Sequence, residues 1–506
     1  MMQRMLRDGF AAGIAIGLMS TTAGAQLGRQ SDRAGAAGDA VTVIKNVTLI
    51  SPERDAPLFH ADVVLRDGRI TKIGKNLDAG PRARRIEGTG RFLIPGLIDS
   101  HVHVEHSAAL DEDAIAAHPE LWKAYRAQVP RAYLAFGFTT VVDLDLAPSG
   151  QAWFESTPLH PRFFHCGRGI KVAGGYGAFE VPPAGSANFP NLVYESEEAA
   201  HWPSSLNAGD YTAESAVMRT ADAGAVCVKA FVESGFGMFH WPYLHTETLK
   251  QIRSAATADK LVLMVHATGV DSWQAAIDAR ADVIAHGLWI WPGDLASSSV
   301  PAAASRVIGE AARAGIRVQP TLQTVAGERS MLDASLLDDP RLMFALPSSV
   351  IGYLRSAEGL KARNSLLEEY RKASPPPGFE ALLPAAIERT RATFKLMLQD
   401  HVVLIFGSDT PAGDGFGNPP GLNGRLELQD WAEAGAPLAE ILRAATIENA
   451  RALGVAQEVG SIEVGKRADL LLLKKNPLVS VSAYDSIETV FLNGEAIERE
   501  RLRAKE

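Results

Sequence analysis

Short apolar runs that alternate with polar positions occupy both ends of the chain. At the start, VTVIKNVTLI, ADVVLRDGRITKIG and RRIEGTGRFL alternate or run apolar, and turn dipeptides interrupt them. At the far end, DLLLLK and SIETVFLNGEAIE show the same pattern of apolar and polar positions, and Asn493-Gly494 is typical of a hairpin turn. The two ends therefore predict one small β-sandwich domain, assembled from residues 41–96 and 455–506.

Between these ends, short apolar runs alternate with helical segments, a pattern typical of a parallel sheet. Eight runs qualify as strands: LIDSHVHV, TTVVDLDL, RFFHCGRGI, AVCVKAFV, LVLMVHA, ADVIAHG, GIRVQPTL and VVLIFGSD. Eight such units predict an α/β fold with a (β/α)8 TIM-like barrel over residues 97–454. Their spacing is uneven, because residues 322–400 hold extra helices and the turn SPPPGF. We expect this stretch to be a cap insertion.

The first 40 residues have a different pattern. Arg4 and Arg7 precede a short apolar stretch, which ends in a small-residue Ala-Gly-Ala cleavage site. This predicts a cleavable signal peptide over residues 1–25 and a periplasmic or secreted protein. The stretch is too short to span a bilayer comfortably, so we expect no stable membrane anchor, with an uncleaved anchor as the alternative. Residues 26–40 are small and polar, and are predicted to be a disordered lead-in.

Composition narrows the class of protein further. The chain has 506 residues, of which 46% are hydrophobic and 22% charged, as is ordinary for a globular protein. The formal net charge is -9 and no Lys/Arg-rich block stands out, so nucleic acid is not an expected partner. The two cysteines, Cys166 and Cys227, lie in apolar runs and are too few for a disulfide framework. Export permits a disulfide, but we expect two small buried side chains.

The strongest chemical signal is the sequence His101-Val102-His103. Alternation along a strand places His101 and His103 on the same face, where two imidazoles are well placed to share a metal ion. Surface strands also carry His-x-His by chance. Here the motif follows an apolar run and leads into an acidic, His-containing loop, which favours a metal site.

Four further polar residues lie at or near the ends of apolar strands: Lys229, His266, His286 and Asp409. Barrels place catalytic groups at such positions, although each histidine taken singly is as readily a hydrogen-bonded core residue. Burial should lower the pKa of Lys229. A neutral lysine amine reacts with CO2 to form a carbamate, and that anion can bridge two metals. The alternative is a buried lysine–carboxylate pair.

With these residues in place, the chain resembles the amidohydrolase superfamily, especially its imidazolonepropionase-like and Xaa-Pro dipeptidase-like branch. The resemblance covers nearly all of residues 41–495. It rests on PGLIDSHVH, FGFTTVVDL, VKAFVESG, VHATG, DVIAHG, FGSDTP and IENARALGVAQEVGSIEVGKRADLLLL. It implies a terminal β-domain beside the barrel. It also implies two divalent metal ions with six ligands: His101, His103 and Asp409 on one, His266 and His286 on the other, and a carboxylated Lys229 between them.

The chain departs from the branch at two positions. Val142 stands in FGFTTVVDL where the branch has Arg, and Tyr176 stands in GGYG where it has His. Both departures leave the metal ligands intact but bear on the substrate class.

The ligand set predicts the chemistry. Zinc is the default metal for nitrogen and oxygen ligands, with manganese or cobalt as alternatives. A hydroxide that bridges two metals is a nucleophile at neutral pH. Asp409 is suited to take its proton and deliver it to a leaving nitrogen, as general base and then general acid. We therefore expect hydrolysis of a C–N bond in an amide or peptide, such as a dipeptide or an N-acyl amino acid. The alternatives are hydrolysis of a lactone or phosphotriester at the same site, and a non-catalytic binding protein of the same fold.

Aromatic residues in the predicted loops favour an apolar group on a small-molecule or dipeptide substrate. Trp289 follows His286, and Tyr176 and Tyr243 are candidates to donate hydrogen bonds to a substrate carboxylate. The alternative for each aromatic is loop packing. Four other histidines are expected to make local hydrogen bonds instead of contacting substrate: His106, His165, His240 and His245. The sequence leaves a homo-oligomer open.

Overall fold

The structure is a computed structural model that describes residues 41–186, 188–411 and 415–505. The predicted signal peptide and lead-in lie outside these residues. The described chain has seventeen strands: β1 (Val41–Leu49), β2 (Leu58–Arg66), β3 (Arg69–Gly74), β4 (Arg84–Glu87), β5 (Phe92–Pro95), β6 (Leu97–Val102), β7 (Phe138–Asp143), β8 (Arg162–His165), β9 (Ile170–Lys171), β10 (Asn191–Leu192), β11 (Cys227–Phe231), β12 (Val262–His266), β13 (Val283–Ala285), β14 (Arg317–Gln319), β15 (Leu470–Leu473), β16 (Ile487–Leu492) and β17 (Glu495–Glu498).

The same residues contain fifteen α-helices. They are α1 (Glu112–Ala117), α2 (Pro119–Ala135), α3 (Gly150–Ser156), α4 (Ala213–Asp222), α5 (Thr246–Ala258), α6 (Val270–Asp278), α7 (Ala302–Ala314), α8 (Leu322–Gly327), α9 (Leu342–Ala345), α10 (Ser348–Arg355), α11 (Ala357–Ala373), α12 (Phe379–Gln399), α13 (Leu422–Glu433), α14 (Leu438–Arg443) and α15 (Asn449–Ala452). A π-helical turn, Ala444–Glu448, connects α14 to α15. Within the described ranges, no helix has the length and apolarity needed to cross a membrane.

Both ends of the chain contribute to one sheet, which we call the terminal sheet. Its strand order is β17-β16-β15-β5-β1-β2-β3, and β4 pairs with β1. The two ends meet where β15 pairs antiparallel with β5, with Leu471 opposite Ile94. The prediction that both ends build one β-structure therefore holds at the level of a single sheet. Its description as a sandwich stays a prediction.

The four leucines of β15 explain how this sheet attaches to the rest of the molecule. All four are buried. Leu470 and Leu472 pack in the apolar cluster of the terminal sheet, whereas Leu471 and Leu473 pack in the large central cluster. Successive side chains of a strand point to opposite faces, so one short strand serves both cores. This accounts for the uninterrupted run of leucines at 470–473, because a strand with one exposed face would alternate apolar and polar residues.

The centre of the chain forms two parallel sheets, with strand orders β6-β7-β8 and β10-β9-β11-β12-β13-β14. Seven of the eight predicted barrel strands are present. The eighth run, residues 402–409, makes an isolated bridge between Leu404 and Val318, and Thr410, just beyond it, bridges to Val102. The described fold is therefore mixed α/β with parallel sheets, and the predicted barrel is not closed by continuous ladders. Asp409, the last residue of this run, has a φ of 56°, outside the extended region.

Cys166 and Cys227 form a disulfide. Cys166 directly follows β8, Cys227 begins β11, and the Val226 backbone N–H donates to the His165 carbonyl at 3.0 Å. This contact brings the two Cα atoms to 4.4 Å, although 61 positions separate the cysteines in sequence. The expectation of two unpaired buried side chains is wrong, because the pairing depends on which strand ends are neighbours.

The segment predicted as a cap, residues 322–400, is largely helical and contains α8 to α12. Arg389 of α12 is buried and connects this segment to the loop that follows β13. Its guanidinium donates to the backbone carbonyls of Ser297 at 2.8 Å and Asp294 at 2.6 Å. The assignment of the segment as a cap stays a prediction.

Candidate functional site

Three predicted ligands converge at the carboxyl end of β6. The Nε2 atoms of His101 and His103 lie 3.1 and 3.0 Å from the same oxygen, Oδ1 of Asp409. One potential ligand atom from each of the three residues lies within 4.8 Å of the other two. Two imidazole nitrogens and a carboxylate oxygen form a donor set that suits zinc and related divalent ions. The residues present therefore fit one metal ion at this point.

Backbone contacts hold the two ligand-bearing segments together. The Asp409 N–H donates to the His101 carbonyl at 2.7 Å. Beneath them, the Asp99 carboxylate accepts from the Ser408 N–H at 2.9 Å and from the Ser408 hydroxyl at 2.5 Å. Asp99 also accepts from the His101 N–H at 3.2 Å. These contacts fix Asp409 opposite the histidines, in a left-handed conformation that aspartate tolerates better than most residues.

The protonation states of His101 and Asp409 suit metal binding, whereas for His103 burial alone would lower the pKa but the hydrogen bond to Asp409 raises it overall. Burial, reinforced by the charge of Lys229, lowers the pKa of His101 to about 3, so its imidazole is neutral at pH 7. Burial alone would raise the pKa of Asp409. The interactions with His101 and His103 outweigh it and hold that pKa well below its usual value. A neutral imidazole and an ionised carboxylate are the forms that bind metals.

Lys229 lies in the middle of β11 and is 1% exposed. Its Nζ is 3.5 Å from His101 Nε2. In the described chain, no carboxylate oxygen lies within 4.0 Å of this amine, so the alternative of a buried lysine–carboxylate pair is not found there. Burial lowers the pKa of Lys229 to about 7, which leaves a large neutral fraction at neutral pH.

The remaining two predicted ligands lie beside this group. The ring centroids of His266 and His286 are 4.4 Å apart, and His286 is 5.0 Å from the His101 ring. His286 Nδ1 lies 3.8 Å from Asp409 Oδ2 and 3.0 Å from the Thr321 hydroxyl. Burial lowers the pKa of both His266 and His286. The structure therefore brings all six predicted ligand residues together at one end of the parallel strands.

Glu233 is a member of this site that the sequence did not single out. It is buried two residues after β11, and its carboxylate lies 3.4 Å from His266 Nε2. It also accepts from the Thr268 hydroxyl at 2.5 Å and from the Phe236 N–H at 2.7 Å. A polar residue just after an apolar strand is the same signal that identified the ligands, so Glu233 was predictable. Thr321, which contacts His286, lies two residues after β14 and carries the same signal.

An aromatic cluster adjoins the histidines, formed by Tyr176, Phe179, Phe231, Phe236, Trp241 and Trp289. The Tyr176 ring is 5.1 Å from His266, and it stacks on Trp241 at 5.8 Å. Phe236 stacks on Trp289 at 5.9 Å. Two of the three predicted substrate residues, Tyr176 and Trp289, therefore lie in one apolar wall beside the candidate ligands.

The third, Tyr243, stacks on His245 at 4.5 Å and is not in this wall. His245 Nε2 lies 3.3 Å from a Glu198 carboxylate oxygen, and His165 Nε2 lies 3.1 Å from the side-chain amide oxygen of Gln151, which are local contacts of the expected kind. His106 differs, because its ring stacks on His103 at 5.1 Å and so borders the candidate ligands.

Comparison with known proteins adds the family. The amidohydrolase family pattern matches residues 92–497. Matches to curated relatives are short. The D-hydantoinase of Ralstonia pickettii is 43% identical over 63 residues, which cover 12% of this chain and 13% of that protein. The adenine deaminase of Deinococcus deserti is 46% identical over 50 residues, 10% of this chain and 9% of that protein. The chain thus spans only about a tenth of the length of these relatives.

Solved structures align over much more of the chain. A Xaa-Pro dipeptidase with bound methionine in the active site has a TM-score of 0.61 and 20% identity, over 91% of this chain and 100% of that one. The ochratoxinase of A. niger has a TM-score of 0.62 and 20% identity, over 91% of this chain and 96% of that one. At this identity the likeness concerns the fold alone. Since the family pattern covers well over half of the sequence, the chain belongs to the amidohydrolase family.

Proposed function

We propose that the protein is a binuclear metal-dependent hydrolase that cleaves the C–N bond of an amide or peptide. The observation that carries this proposal is the convergence of His101 Nε2 and His103 Nε2 on one oxygen of Asp409, at 3.1 and 3.0 Å. A binding protein of the same fold would have no need to retain this donor set. The fold shared with a Xaa-Pro dipeptidase supports a dipeptide or N-acyl amino acid as substrate.

The proposed site lies at one end of the two parallel sheets. We propose that the two parallel sheets and the segment 402–410 together form a (β/α)8 barrel, and that the terminal sheet belongs to a β-sandwich. The hydrogen bond from Val226 to the His165 carbonyl supports contact between β8 and β11. The bridges of Leu404 to Val318 and of Thr410 to Val102 support contact on the other side.

The proposed metal ions are zinc, with manganese or cobalt as alternatives. His101, His103 and Asp409 would hold one ion, and His266 and His286 the second. A carboxylated Lys229 would supply an anionic oxygen to both, and the lowering of its amine pKa to about 7 by burial supports that modification. When bound, the ions would lower the pKa of the attacking water and polarise the scissile carbonyl.

Asp409 carries the proposed proton transfers. Its carboxylate is ionised and buried beside the ligands, so it can accept a proton from the attacking water. It then delivers that proton to the leaving nitrogen. An amine is a poor leaving group unless it is protonated, and this requirement favours an amide over an activated ester. Hydrolysis of a lactone or phosphotriester by the same groups is the second candidate.

We further propose that the chain is exported and cleaved after Ala25. The disulfide between Cys166 and Cys227 supports this, because disulfides persist in oxidising compartments such as the periplasm. N-terminal sequencing of the mature protein should begin at Gln26. An intact Met1 or Met2 terminus on exported protein would contradict the proposal.

The test of the reaction is a substrate screen on metal-loaded protein. Dipeptides, N-acyl amino acids, lactones and phosphotriesters are compared by kcat/KM. The expected result is turnover of an amide class that stops when the metal is chelated. If lactones or phosphotriesters react orders of magnitude faster than every amide, the amide assignment is wrong and the metal site stands. Metal-loaded protein that hydrolyses no compound in any class supports the non-catalytic alternative.

A further inference from the structure

Lys171 is a buried lysine that the metal site does not use. It ends β9, where Ile170 pairs in parallel with Ala230 of β11. Ile170 and Ala230 share one apolar cluster, so both point to the same side of the sheet. Because side chains alternate, Lys171 points to the opposite side, the side that carries Lys229 and Phe231. The register therefore places Lys171 on the face of the candidate metal ligands, one level nearer the carboxyl ends of the strands.

Distances agree with this placement. Lys171 Nζ lies 5.0 Å from the centre of the Phe231 ring, and Lys229 Nζ lies 5.3 Å from the same point. The two amines thus flank one ring of the aromatic cluster. Lys171 is 3% exposed, so bulk water hardly reaches it. On its other side is Gly177, where a Cβ atom would lie 2.9 Å from Nζ. The loop that carries Tyr176 therefore approaches this ammonium with backbone only.

Asp145 orients the ammonium. Its Oδ2 accepts from Lys171 Nζ at 2.5 Å, and its Oδ1 accepts from the Gly169 N–H at 3.0 Å. A buried ion pair with this geometry fixes the direction of Nζ. An ammonium has three N–H donors, so it can donate to a substrate carboxylate and to Asp145 together.

Tyr243, one of the two tyrosines expected to bind a substrate carboxylate, lies among acidic residues. It stacks on His245, whose Nδ1 lies 3.4 Å from Glu197 and whose Nε2 lies 3.3 Å from Glu198. The His245 backbone N–H donates to a third carboxylate, Glu195. Three acidic groups around this loop oppose the approach of an anion.

We propose that Lys171, oriented by Asp145, binds a carboxylate of the substrate, while the apolar part of that substrate packs on the aromatic cluster. This inference rests on the proposed function and narrows its substrate class to N-acyl amino acids or dipeptides with a free carboxylate. An aromatic or large aliphatic group next to the scissile bond matches the rings of Tyr176, Phe236 and Trp289.

The test compares N-benzoylglycine with its carboxamide on the metal-loaded enzyme. The two probes share the aromatic group and the amide bond, and differ in the carboxylate. KM and kcat are measured where a probe is hydrolysed, and Kd by calorimetry where it is not. The wild type should prefer the acid roughly 10- to 100-fold, the range expected for a hydrogen bond to a charged group. Lys171→Met should lose this preference through a higher KM or Kd for the acid. The KM or Kd for the carboxamide should change less than about threefold.

Three further variants sharpen the test. Lys171→Arg should keep part of the preference, because it keeps the cation. Tyr243→Phe, the matched control, should keep all of it. If Lys171→Met does not fold, it is replaced in the test by the double variant Lys171→Met with Asp145→Asn. The double variant removes both charges of the ion pair together. Metal content should match the wild type in each.

The outcomes separate this inference from the proposed function. A wild type that binds acid and carboxamide equally, or neither, overturns the role of Lys171, and so does a preference that survives in Lys171→Met. If the wild type prefers the acid through Lys171 but hydrolyses no amide, the inference stands and the proposed reaction fails. If amides are hydrolysed without any preference for the acid, the proposed reaction stands and the inference about Lys171 fails.

Discussion

Lys229 Nζ lies 3.5 Å from Nε2 of His101, a nitrogen that also faces Asp409. An ammonium at this distance would repel a divalent cation held by His101. A metal ion and a protonated Lys229 are therefore incompatible, whereas a carboxylated Lys229 adds a negative oxygen at the same place. Metal binding should therefore depend on whether Lys229 is protonated or carboxylated, and this dependence can be measured.

Lys229→Ala should lose both metal and activity, and Lys229→Arg should fail too, since a guanidinium stays cationic. Carboxylation requires the neutral amine, whose pKa is about 7. Reactivation of metal-free protein by zinc and bicarbonate should therefore increase as pH rises through about 7, and level off above it. Metal content and activity are measured after each incubation. Equal reactivation in CO2-free buffer, or an unmodified amine in a high-resolution map of metal-loaded protein, would overturn carboxylation.

Metal removal gives the second prediction. The purified protein should contain about two divalent ions per chain, and chelation should abolish turnover. Asp409→Asn should reduce kcat by about 10²–10⁴, the usual contribution of a general acid–base group, and His101→Ala should also lose most turnover. His165→Asn is the matched control, because His165 also ends a strand but hydrogen bonds to Gln151. Metal analysis and kcat are compared across the three variants. Full activity in metal-free protein would contradict the mechanism.

The disulfide gives the third prediction. Replacing Cys166 and Cys227 together by Ser removes a cross-link between positions 61 apart. Chain-entropy arguments put the loss of unfolding free energy at roughly 4 kcal/mol, with measured cases between about 0 and 5. Chemical unfolding of the double variant is compared with that of wild type with and without reductant. Free thiols in the oxidised wild type, detected by mass spectrometry after alkylation, would show that the bond is absent.

The fourth prediction concerns Asp62 of the terminal sheet. Burial alone would raise its pKa, but the ion pair with Lys45 at 2.5 Å and the N–H groups of Asn46 and Leu77 lower it overall. A depressed folded-state pKa stabilises the fold above the unfolded value of 3.8 and loses that effect as pH falls through the folded value. Asp62→Asn should therefore destabilise the protein by roughly 1.5–3 kcal/mol at pH 7, and by less below pH 3.8.

Unfolding free energies of Asp62→Asn and wild type, measured from pH 7 down to pH 3, test this dependence. Asp67→Asn is the control, because Asp67 lies in an exposed turn of the same sheet. A difference between Asp62→Asn and wild type that is the same at pH 7 and pH 3 would show that the carboxylate charge is not its source.

The sequence was most informative where chemistry and strand ends coincide. His101, His266, His286 and Asp409 each stand at or just beyond the end of an apolar run, so their convergence was predictable without coordinates. Position along one strand says nothing about its neighbours, and this is why the pairing of Cys166 with Cys227 was missed. The ion pair of Lys171 with Asp145 was missed for the same reason, since Lys171 ends β9 and Asp145 follows β7.

Backbone conformation is a second property that the sequence pattern did not predict. The run VVLIFGSD has the composition of a strand, but it makes only isolated bridges to its neighbours, and Asp409 at its end has a φ of 56°. Apolar periodicity carries no information about such a residue. Tyr176 and Trp289 lie near the histidines, in loops that follow strands of the parallel sheets, whereas the loop of Tyr243 turns toward acidic residues.

The attachment of β5 to β15 bears on how the chain is made. Only Gly96 separates β5 from β6, the strand that carries His101, and β5 completes its pairing only with Leu470–Leu473. The contact between Asp99 and Ser408 spans 309 positions. On a ribosome, residues near 100 must therefore wait for nearly the whole polypeptide, and such distant pairings form slowly. A chain that stops just before residue 470 contains all six candidate ligands but leaves β5 without its β15 partner.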